Sequence, residues 1–336
     1  MAAYFAHKGA SVSLYAREQE RVDMFHTHKF LLSGVVDAIV QIALISSDMK
    51  EVIQNAHLIM ITTPSQYHSI VAREMAPYLE DGQIVVLNPG RTFGTFELDS
   101  TLKKYGCTAD VTLAEAETFI FTCRCQEIGC PIIYGIKQNM LVAAHNKERT
   151  ALVVDCLSKY FKSIKGAQSV LETAFCNIGM IFHPVPILMN ITRVEQKEEI
   201  LYYHGAITPL VASILERMDA ERVAVAAAAG VRTPSAMQWL IERYGTSGKD
   251  LYECIQNTEA YNGVYMPTEL NIRYIFEDIP TGCVPIHCAG NALGVPTPII
   301  DATIQWASTV YQTDFLKIGR NEESFEIKEL MRRIQS

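Results

Sequence analysis

Short apolar runs alternate with helical segments through the first half of the chain, and this alternation restricts the possible fold more than any other feature. The apolar runs are residues 11–15, 58–63, 83–87 and 111–115, and apolar residues at helical spacing fill segments 64–79 and 96–105. Strands that are apolar throughout and alternate with helices are typical of a parallel sheet covered on both faces. The first half is therefore predicted to be a doubly wound α/β domain.

The second half of the chain has a different pattern. From about Ser169 the apolar residues recur at helical spacing, most clearly in segments 207–229, 235–244 and 298–311, and strand signals are nearly absent. We predict an all-α domain here, so that residues 1–165 form the sheet domain and residues 166–336 the helical domain. A length of 336 residues exceeds one ordinary core, which agrees with two domains.

The composition narrows the class of protein. Hydrophobic residues make up 49% and charged residues 20%, as in a globular chain rather than a disordered one. The net charge of −8 does not favour a nucleic acid or an anionic membrane as partner. We expect no apolar run long enough to span a bilayer and no leader peptide. The nine scattered cysteines favour reduced thiols in the cytoplasm over disulfides.

The first residues of the chain predict the second half of a helix, with Gly9 at its C-terminal end, followed at once by a strand. In a doubly wound nucleotide-binding domain, a strand and a glycine-rich turn that cradles the pyrophosphate precede such a helix. The sequence lacks both, so we predict that the first strand and the glycine-rich turn are missing through truncation. A small helical cap without a nucleotide role is the alternative.

Residues at the ends of the predicted strands are candidates for binding a dinucleotide, because ligands lie at the carboxyl edge of open α/β sheets. Arg17 follows the first strand, with Arg21 one helical turn later. At this position an acidic residue would bind the ribose hydroxyls of NAD, whereas an arginine can pair with the 2′-phosphate of NADP. Because solvated surface arginines are common, this favours NADP over NAD only slightly. The other candidates follow the second and third strands: Thr63, Pro64, Asn88 and Gly90.

One histidine within an apolar run is the first candidate for catalysis. His183 lies between Phe182 and Pro184, in a segment that begins at Asn177 and ends at Asn190. Imidazole titrates near neutral pH, which suits proton transfer. A core histidine with one satisfied hydrogen bond is the alternative.

The end of the fourth predicted strand carries polar residues that suit a small substrate. Glu117 and Thr118 lie there, and a carboxylate at this edge could hold an amine or a guanidinium. Cys123, Cys125 and Cys130 follow without the paired Cys-x-x-Cys spacing of structural zinc sites. We therefore expect small buried cysteines and no metal site.

A second charged segment lies at residues 269–280. Arg273 and Glu277 are spaced for an i, i+4 ion pair, and Pro280 is expected to end the helix. The arginine could instead bind a substrate carboxylate through two parallel hydrogen bonds, and Asp278 could orient a histidine or bind an amine. A salt-bridged helix end is the alternative.

Taken together and in this order, these motifs resemble the octopine/nopaline (opine) dehydrogenase family over nearly the whole chain. The matching residues are Asn177-Ile178-Gly179, Phe182-His183-Pro184, Pro186 and Asn190, with Ala116-Glu117-Thr118, Cys123-Arg124, Arg273-Tyr274, Glu277-Asp278-Ile279-Pro280 and Gly294-Val295-Pro296-Thr297-Pro298. The resemblance implies a Rossmann-type domain followed by an all-α domain like the C-terminal domain of 6-phosphogluconate dehydrogenase. It also implies that NADH or NADPH reduces the imine formed between an amino acid and an α-keto acid.

The resemblance further implies roles for single residues. His183 would be the acid/base, Asp278 would orient it or bind the amino substrate, and Arg273 would hold a carboxylate. The amino-acid pocket would contain Glu117, Thr118 and Cys123. The expected partners are an amino acid and an α-keto acid, and a homodimer is left open.

Two alternatives to an opine dehydrogenase remain at this point. One is a truncated, non-catalytic paralogue, which the missing first strand favours. The other is a dehydrogenase of the glycerol-3-phosphate or ketopantoate type. Enzymes of that second kind rely on a lysine near the equivalent site, so the Phe-His-Pro segment argues against it.

Overall fold

The computed structural model of the protein describes residues 1–25 and 29–335 and divides the chain into two compact units. The first unit contains Met1–Thr63, Tyr67–Gly90 and Leu98–Val170, and the second contains Pro64–Gln66, Arg91–Glu97 and the chain from Leu171 on. The sequence did not predict that two short segments of the first half belong to the second unit. The domain boundary at residue 165 stays a prediction, and Ser336, the last residue of the predicted helical domain, lies outside the described residues.

Helices and strands alternate through the first part of the chain. The helices are α1 (Ala2–His7), α2 (Gln19–Asp23), α3 (Met49–Ile53), α4 (His68–Met75), α5 (Gly94–Lys104) and α6 (Thr150–Ser158). The strands are β1 (Ser13–Tyr15), β2 (Lys29–Gly34), β3 (Ala38–Gln41), β4 (Leu44–Ser46), β5 (Leu58–Ile61), β6 (Ile84–Leu87), β7 (Thr112–Ala116), β8 (Phe121–Glu127), β9 (Cys130–Ile136), β10 (Met140–Ala144) and β11 (Ile164–Gly166). Short 3₁₀ helices are Ser65–Tyr67, Ala76–Tyr78 and Lys147–Arg149.

The central sheet of the first unit has the strand order β11-β10-β7-β6-β5. Strands β5, β6 and β7 are parallel, and β10 pairs antiparallel with β7. Every residue of β6 is buried, as expected for a parallel strand covered on both faces. The strands predicted at 58–63, 83–87 and 111–115 correspond to β5, β6 and β7, and the strand predicted at 11–15 corresponds to β1, which pairs parallel with β4.

A four-stranded mixed sheet, with the order β3-β2-β9-β8, was not predicted. Its strands alternate in burial: Phe30 and Leu32 are buried, whereas Leu31 between them is exposed. The expectation that Cys123 and Cys125 are buried is wrong, since both are exposed on β8 of this half-exposed sheet. All nine cysteines are thiols rather than disulfides.

From residue 170 on, the described chain is helical, apart from one isolated bridge between Leu201 and Tyr265. The α-helices are α7 (Val170–Phe175), α8 (Gly179–Phe182), α9 (Pro184–Met189), α10 (Ile191–Glu195), α11 (Pro209–Ala228), α12 (Ala236–Tyr244), α13 (Leu251–Gln256), α14 (Arg273–Phe276), α15 (Val284–Leu293), α16 (Pro298–Val310), α17 (Phe315–Ile318) and α18 (Ile327–Gln335). Two π-helices, Tyr202–Ala206 and Ile279–Cys283, and a 3₁₀ helix, Glu259–Tyr261, complete this part. The predicted α/β domain followed by an all-α domain is confirmed.

Pro280 does not end a helix, contrary to the expectation from sequence. It lies in the first turn of the π-helix Ile279–Cys283, and α15 begins at the next residue, Val284. A proline is tolerated there because the first N–H groups of a helix have no intrahelical acceptor.

One apolar run is long enough to cross a membrane, contrary to expectation. Val170–Met189 has 20 residues with a hydropathy of 1.3, and 78% of the window is buried inside the protein. This stretch is divided among α7, α8 and α9. Because a buried core helix passes the same length and composition test, the run is weak support for a membrane span.

Candidate active site

His183 lies at the junction between α8 and α9, where prolines interrupt the helical hydrogen bonds. Pro184 begins α9, and Pro186 has no N–H to donate to the carbonyl oxygen of Phe182 one turn earlier. The Tyr202 hydroxyl donates to the Phe182 carbonyl at 2.8 Å and lies 3.0 Å from the His183 carbonyl. The prolines thus create the break that carries His183, and Tyr202 satisfies the backbone group that the break leaves without a donor.

His183 and Asp278 form a hydrogen-bonded pair. The distance from His183 Nδ1 to Asp278 Oδ2 is 2.7 Å, the Asp278 side chain is fully buried, and the His183 side chain is 12% exposed. Because Nδ1 faces a carboxylate, it carries the proton of the neutral imidazole, and Nε2 is left to accept or donate elsewhere. The structure therefore brings together the two residues predicted to be catalytic, which lie 95 positions apart in the sequence.

Tyr274 and Arg273 lie beside this pair. The Tyr274 ring stacks on the His183 ring with centroids 4.1 Å apart and planes 11° apart, and the Arg273 guanidinium carbon is 6.0 Å from the Tyr274 ring centre. Arg273 Nε is 3.8 Å from Glu277 Oε2, the i, i+4 spacing predicted from sequence. Since the Arg273 side chain is 61% exposed, its guanidinium is accessible to an anion.

Arg91 is a site residue that sequence reasoning missed. Its Nη1 is 3.2 Å from Asp278 Oδ1 and donates to Asn177 Oδ1 at 3.2 Å, and its Nε donates to Glu277 Oε1 at 3.3 Å. Its φ of +59° is in the left-handed region, which residues other than glycine rarely adopt. The one feature of the sequence that could have indicated Arg91 as a site residue is its position directly after the Asn88-Pro89-Gly90 turn. Ordinary turns have the same residue pattern, so this feature is not specific.

The charges of this cluster determine its protonation. Burial acts to raise the pKa of Asp278, but the charges of Arg91 and His183 outweigh it and lower that pKa below the ordinary value. Burial acts to lower the pKa of Arg91, and the carboxylates of Asp278 and Glu277 raise it overall. Asp278 is therefore ionised and Arg91 charged at neutral pH. Burial raises the pKa of Tyr202 well above its usual range, so its hydroxyl keeps its proton.

The glycine of the Asn177-Ile178-Gly179 motif makes room for the cluster. A side chain at Gly179 would begin with a Cβ that overlaps Arg91 Nη1 and lies 2.5 Å from Asp278 Oδ1. Both contacts are closer than real Cβ atoms show. Glycine is therefore required at this position by the ion pair that packs against it.

The residues predicted to bind the amino acid belong to the first unit. Glu117 is buried and its Oε1 accepts a hydrogen bond from the Leu141 backbone N–H at 3.3 Å. Thr118 Oγ1 accepts a hydrogen bond from Lys137 Nζ at 3.1 Å. Cys123 is exposed on β8. The role of these residues in binding the substrate stays a prediction.

The residues predicted to bind the cofactor differ in exposure. Arg17, Thr63 and Pro64 are exposed, whereas Asn88 and Gly90 are buried. Pro64 belongs to the second unit and the other four to the first. Within the described chain, Asn88 Nδ2 is buried without a hydrogen-bond partner. A Cβ at Gly90 would lie 2.5 Å from the Glu115 side chain, so packing requires glycine there. The role of these five residues in binding the cofactor stays a prediction.

A second histidine–aspartate pair lies elsewhere in the helical unit. His287 Nδ1 is 2.6 Å from Asp301 Oδ1, which also accepts the Thr297 hydroxyl at 2.8 Å. Thr297 is the N-cap of α16 and Asp301 lies in its first turn, so this pair stabilises the start of a helix.

In the ranges 1–25 and 29–335, no three His, Cys, Asp or Glu side chains are grouped to hold a metal ion.

Comparison with known proteins identifies relatives of both parts of the chain. Residues 166–311 match a family model described as NAD/NADP octopine/nopaline dehydrogenase, alpha-helical domain. Residues 1–94 match the NAD-dependent glycerol-3-phosphate dehydrogenase N-terminus. An opine dehydrogenase from Arthrobacter sp. (strain 1C) is 34% identical over 332 residues, which are 98% of this chain and 92% of that protein. The comparisons do not support the predicted truncation of the first strand.

Two solved structures have the same fold. Octopine dehydrogenase in complex with NADH and agmatine is similar with a TM-score of 0.80 and 20% identity, over 98% of this chain and 92% of that chain. Yersinopine dehydrogenase with NADP⁺ bound is similar with a TM-score of 0.73 and 13% identity, over 99% of this chain and 94% of that chain. Both likenesses agree with a Rossmann-type domain followed by a helical domain.

The match to the Arthrobacter protein extends over both domains, whereas the glycerol-3-phosphate dehydrogenase model covers residues 1–94 alone. A glycerol-3-phosphate or ketopantoate type of dehydrogenase and a non-catalytic paralogue are therefore not favoured. The chain belongs to the octopine/nopaline (opine) dehydrogenase family of NAD- or NADP-dependent oxidoreductases.

Proposed function

We propose that the protein catalyses the NAD(P)H-dependent reductive condensation of an amino acid with an α-keto acid through an imine. The product is a secondary amine dicarboxylate, so the enzyme acts on the CH–NH group in the reverse direction. The observation that carries this proposal is the His183–Asp278 pair at 2.7 Å, with the exposed guanidinium of Arg273 beside it. A condensation with a keto acid requires a group that transfers protons and, beside it, a cation that holds the carboxylate of the keto acid.

His183 is the proposed acid/base. The amine of the amino acid adds to the keto carbon, and the resulting hydroxyl leaves as water once it has received a proton. Because Nδ1 is held by Asp278, Nε2 of His183 takes up the proton that the ammonium group of the amino acid loses before it attacks. Nε2 then donates this proton to the leaving hydroxyl. The Asp278 carboxylate fixes the ring and stabilises the imidazolium form. The nicotinamide cofactor, when bound, supplies the hydride that reduces the imine carbon.

Arg273 is the proposed clamp for the keto-acid carboxylate. A guanidinium can donate two parallel hydrogen bonds to a carboxylate, and such charged bonds are about twice as strong as neutral ones. The Arg273 Nε lies 3.8 Å from Glu277, which leaves the terminal guanidinium nitrogens for the substrate. Tyr274 is adjacent to both groups: its ring stacks on the imidazole of His183 at 4.1 Å, and the guanidinium carbon of Arg273 is 6.0 Å from its centre.

The cofactor is proposed to be held by residues at the ends of β1, β5 and β6. Asn88 supports this proposal, because its buried Nδ2 has no hydrogen-bond partner within the described residues. Arg17 is exposed directly after β1 and suits the 2′-phosphate of NADP, so we infer a slight preference for NADP over NAD. The proposed site also includes Thr63, Pro64 and Gly90.

The amino acid is proposed to bind at Glu117, Thr118 and Cys123. A carboxylate such as Glu117 suits an amine or a cationic side chain, although its buried Oε1 also accepts the Leu141 N–H. A location in the cytoplasm remains an expectation from the reduced thiols, and a homodimer remains open.

The acid/base assignment is tested by steady-state kinetics of NADPH or NADH oxidation with a panel of amino acids and α-keto acids. His183→Ala is expected to lower turnover about 10²- to 10⁴-fold, the usual contribution of a positioned acid/base, with cofactor affinity nearly unchanged. His287→Ala is the matched control, because it removes the other histidine–aspartate pair of the unit. A His183→Ala enzyme that keeps more than half of the wild-type turnover would refute the assignment.

A further inference from the structure

The Asp278 carboxylate is shared between two partners. Oδ2 faces Nδ1 of His183 at 2.7 Å, and Oδ1 faces Nη1 of Arg91 at 3.2 Å. Arg91 is 8% exposed, and its Nε is also paired with the buried Glu277. One buried guanidinium thus lies against two buried carboxylates.

Arg91 is held in place from several sides. Asn177 accepts a hydrogen bond from its Nη1, and Asn177 in turn donates to the Thr92 hydroxyl at 3.1 Å. Ser65 donates its backbone N–H and its hydroxyl to Glu277 Oε1, the same oxygen that Arg91 Nε contacts. The left-handed φ of Arg91 and the missing side chain at Gly179 both permit this placement. Backbone strain that the surroundings maintain is common at functional sites.

The charged and titratable groups that face the pair within the helical unit are few. Among the described residues they are Arg91, Glu277 and Arg273, the phenols of Tyr202, Tyr203 and Tyr274, and the thiol of Cys283. On α11, which packs against α8 and α9, Asp219 and Arg222 are paired with each other at 2.7 Å. On α16, which packs against α9, Asp301 is paired with His287. Arg91 is therefore the buried cation that directly contacts Asp278.

We propose that Arg91 is a positioning residue: it holds the Asp278 carboxylate ionised and fixed against Nδ1 of His183, so that Nε2 is the nitrogen that exchanges the proton with the substrate. The proposal rests on the role of His183 proposed above. Without Arg91, Oδ1 of Asp278 is a buried anion that lacks its cation, and such a charge is costly. The His183–Asp278 pair then takes up a proton at a higher pH than in the wild type.

The test is a titration of the His183 imidazole by NMR in the full-length protein, without substrate or cofactor. The signal is assigned by its loss in His183→Gln. Arg91→Met is expected to move the titration midpoint up by about one pH unit or more, the usual effect of removing a charge at this distance. Arg91→Lys keeps the charge and is expected to stay within about half a unit of wild type. The measurement requires no turnover, so it does not depend on the substrates proposed above.

Two further variants make the outcome decisive. Glu277→Gln removes the competing carboxylate and is expected to move the midpoint down, which also tests the proposal if Arg91→Met does not fold. Arg222→Met removes a different buried guanidinium–carboxylate pair and is expected to lower stability without moving the midpoint. A folded Arg91→Met with the wild-type midpoint, or a Glu277→Gln midpoint that stays or rises, overturns the proposal and leaves Arg91 a purely structural residue.

Discussion

Asp278 makes the stability of the protein depend on pH in a defined direction. Its pKa in the folded state is lowered below the ordinary 3.8, because Arg91 and His183 outweigh the effect of burial. A carboxyl whose pKa is lowered by folding stabilises the folded state at pH values above the pKa of the unfolded state. This stabilisation is lost as the pH falls through the pKa of the folded state. Asp278→Asn is therefore expected to lower the free energy of unfolding by about 3 kcal/mol near neutral pH, as for one partner of a buried ion pair.

Urea unfolding at several pH values measures this effect. The difference between wild type and Asp278→Asn is expected to shrink below pH 3.8, as the wild-type carboxyl takes up its proton. Asp301→Asn is the control, since it breaks a histidine–aspartate pair whose carboxylate is 45% exposed and is expected to cost about 1 kcal/mol or less. A difference that grows on acidification would contradict the assignment of the lowered pKa.

At the level of single residues, the sequence indicated part of the candidate site. His183 was recognisable because an imidazole in an apolar run is unusual, and Arg273 with Glu277 because their spacing is that of a helical ion pair. The sequence alone left open whether Asp278 orients a histidine or binds an amine, and the family resemblance named His183 as the acid/base beside it. Arg91 was not predictable, because its left-handed backbone and its three partners are set by tertiary contacts.

The break between α8 and α9 is the element that presents His183, and Tyr202 holds it. Pro186 cannot donate to the Phe182 carbonyl, and the buried Tyr202 hydroxyl takes its place at 2.8 Å. Tyr202→Phe leaves this carbonyl without a donor, so we expect the free energy of unfolding to fall by about 1–3 kcal/mol. Turnover is expected to fall as well, because the backbone of His183 loses a contact.

Tyr311→Phe is the control for this element. In the described part of the chain the buried Tyr311 hydroxyl has no hydrogen-bond partner, so removing it is expected to leave stability unchanged or slightly raised. Chemical denaturation and turnover are measured for both variants. Equal effects of the two substitutions would show that the Tyr202 hydrogen bonds do not hold the break.

Helices and strands could be predicted from the sequence where the pattern of apolar residues matches the pattern of buried residues in the structure. The parallel strands β5 and β6 were found because they are apolar throughout, and α12 because its apolar residues recur at helical spacing. Strands β2, β3, β8 and β9 were missed. Burial alternates along β2 and β3, but their sequences do not alternate between apolar and polar residues, so the pattern of a half-exposed strand is absent. Helices α8 and α9 are short because Pro184 and Pro186 divide the apolar run between them.

The chain as a whole passes several times between its two compact units. Pro64–Gln66 and Arg91–Glu97 belong to the second unit, although the segments on either side of them belong to the first. Arg91, which contacts Asp278, lies at the start of the second of these segments. Because the candidate site combines residues from both halves of the sequence, dividing the chain between the halves would separate Arg91 from Asp278. Cofactor binding is therefore best measured on the intact protein.

Cofactor preference can be measured as stabilisation of the whole molecule. A ligand that binds only the folded state raises the free energy of unfolding by about 2.7 kcal/mol at 100 times its dissociation constant. If Arg17 binds the 2′-phosphate, NADPH raises the melting temperature more than NADH does at equal concentration, and Arg17→Ala removes this difference without changing the effect of NADH. Arg21→Ala is the control, because this exposed arginine is paired at 3.9 Å with Glu18. Equal stabilisation of the wild type by NADPH and NADH, or the same loss in Arg21→Ala as in Arg17→Ala, would contradict the proposed role of Arg17.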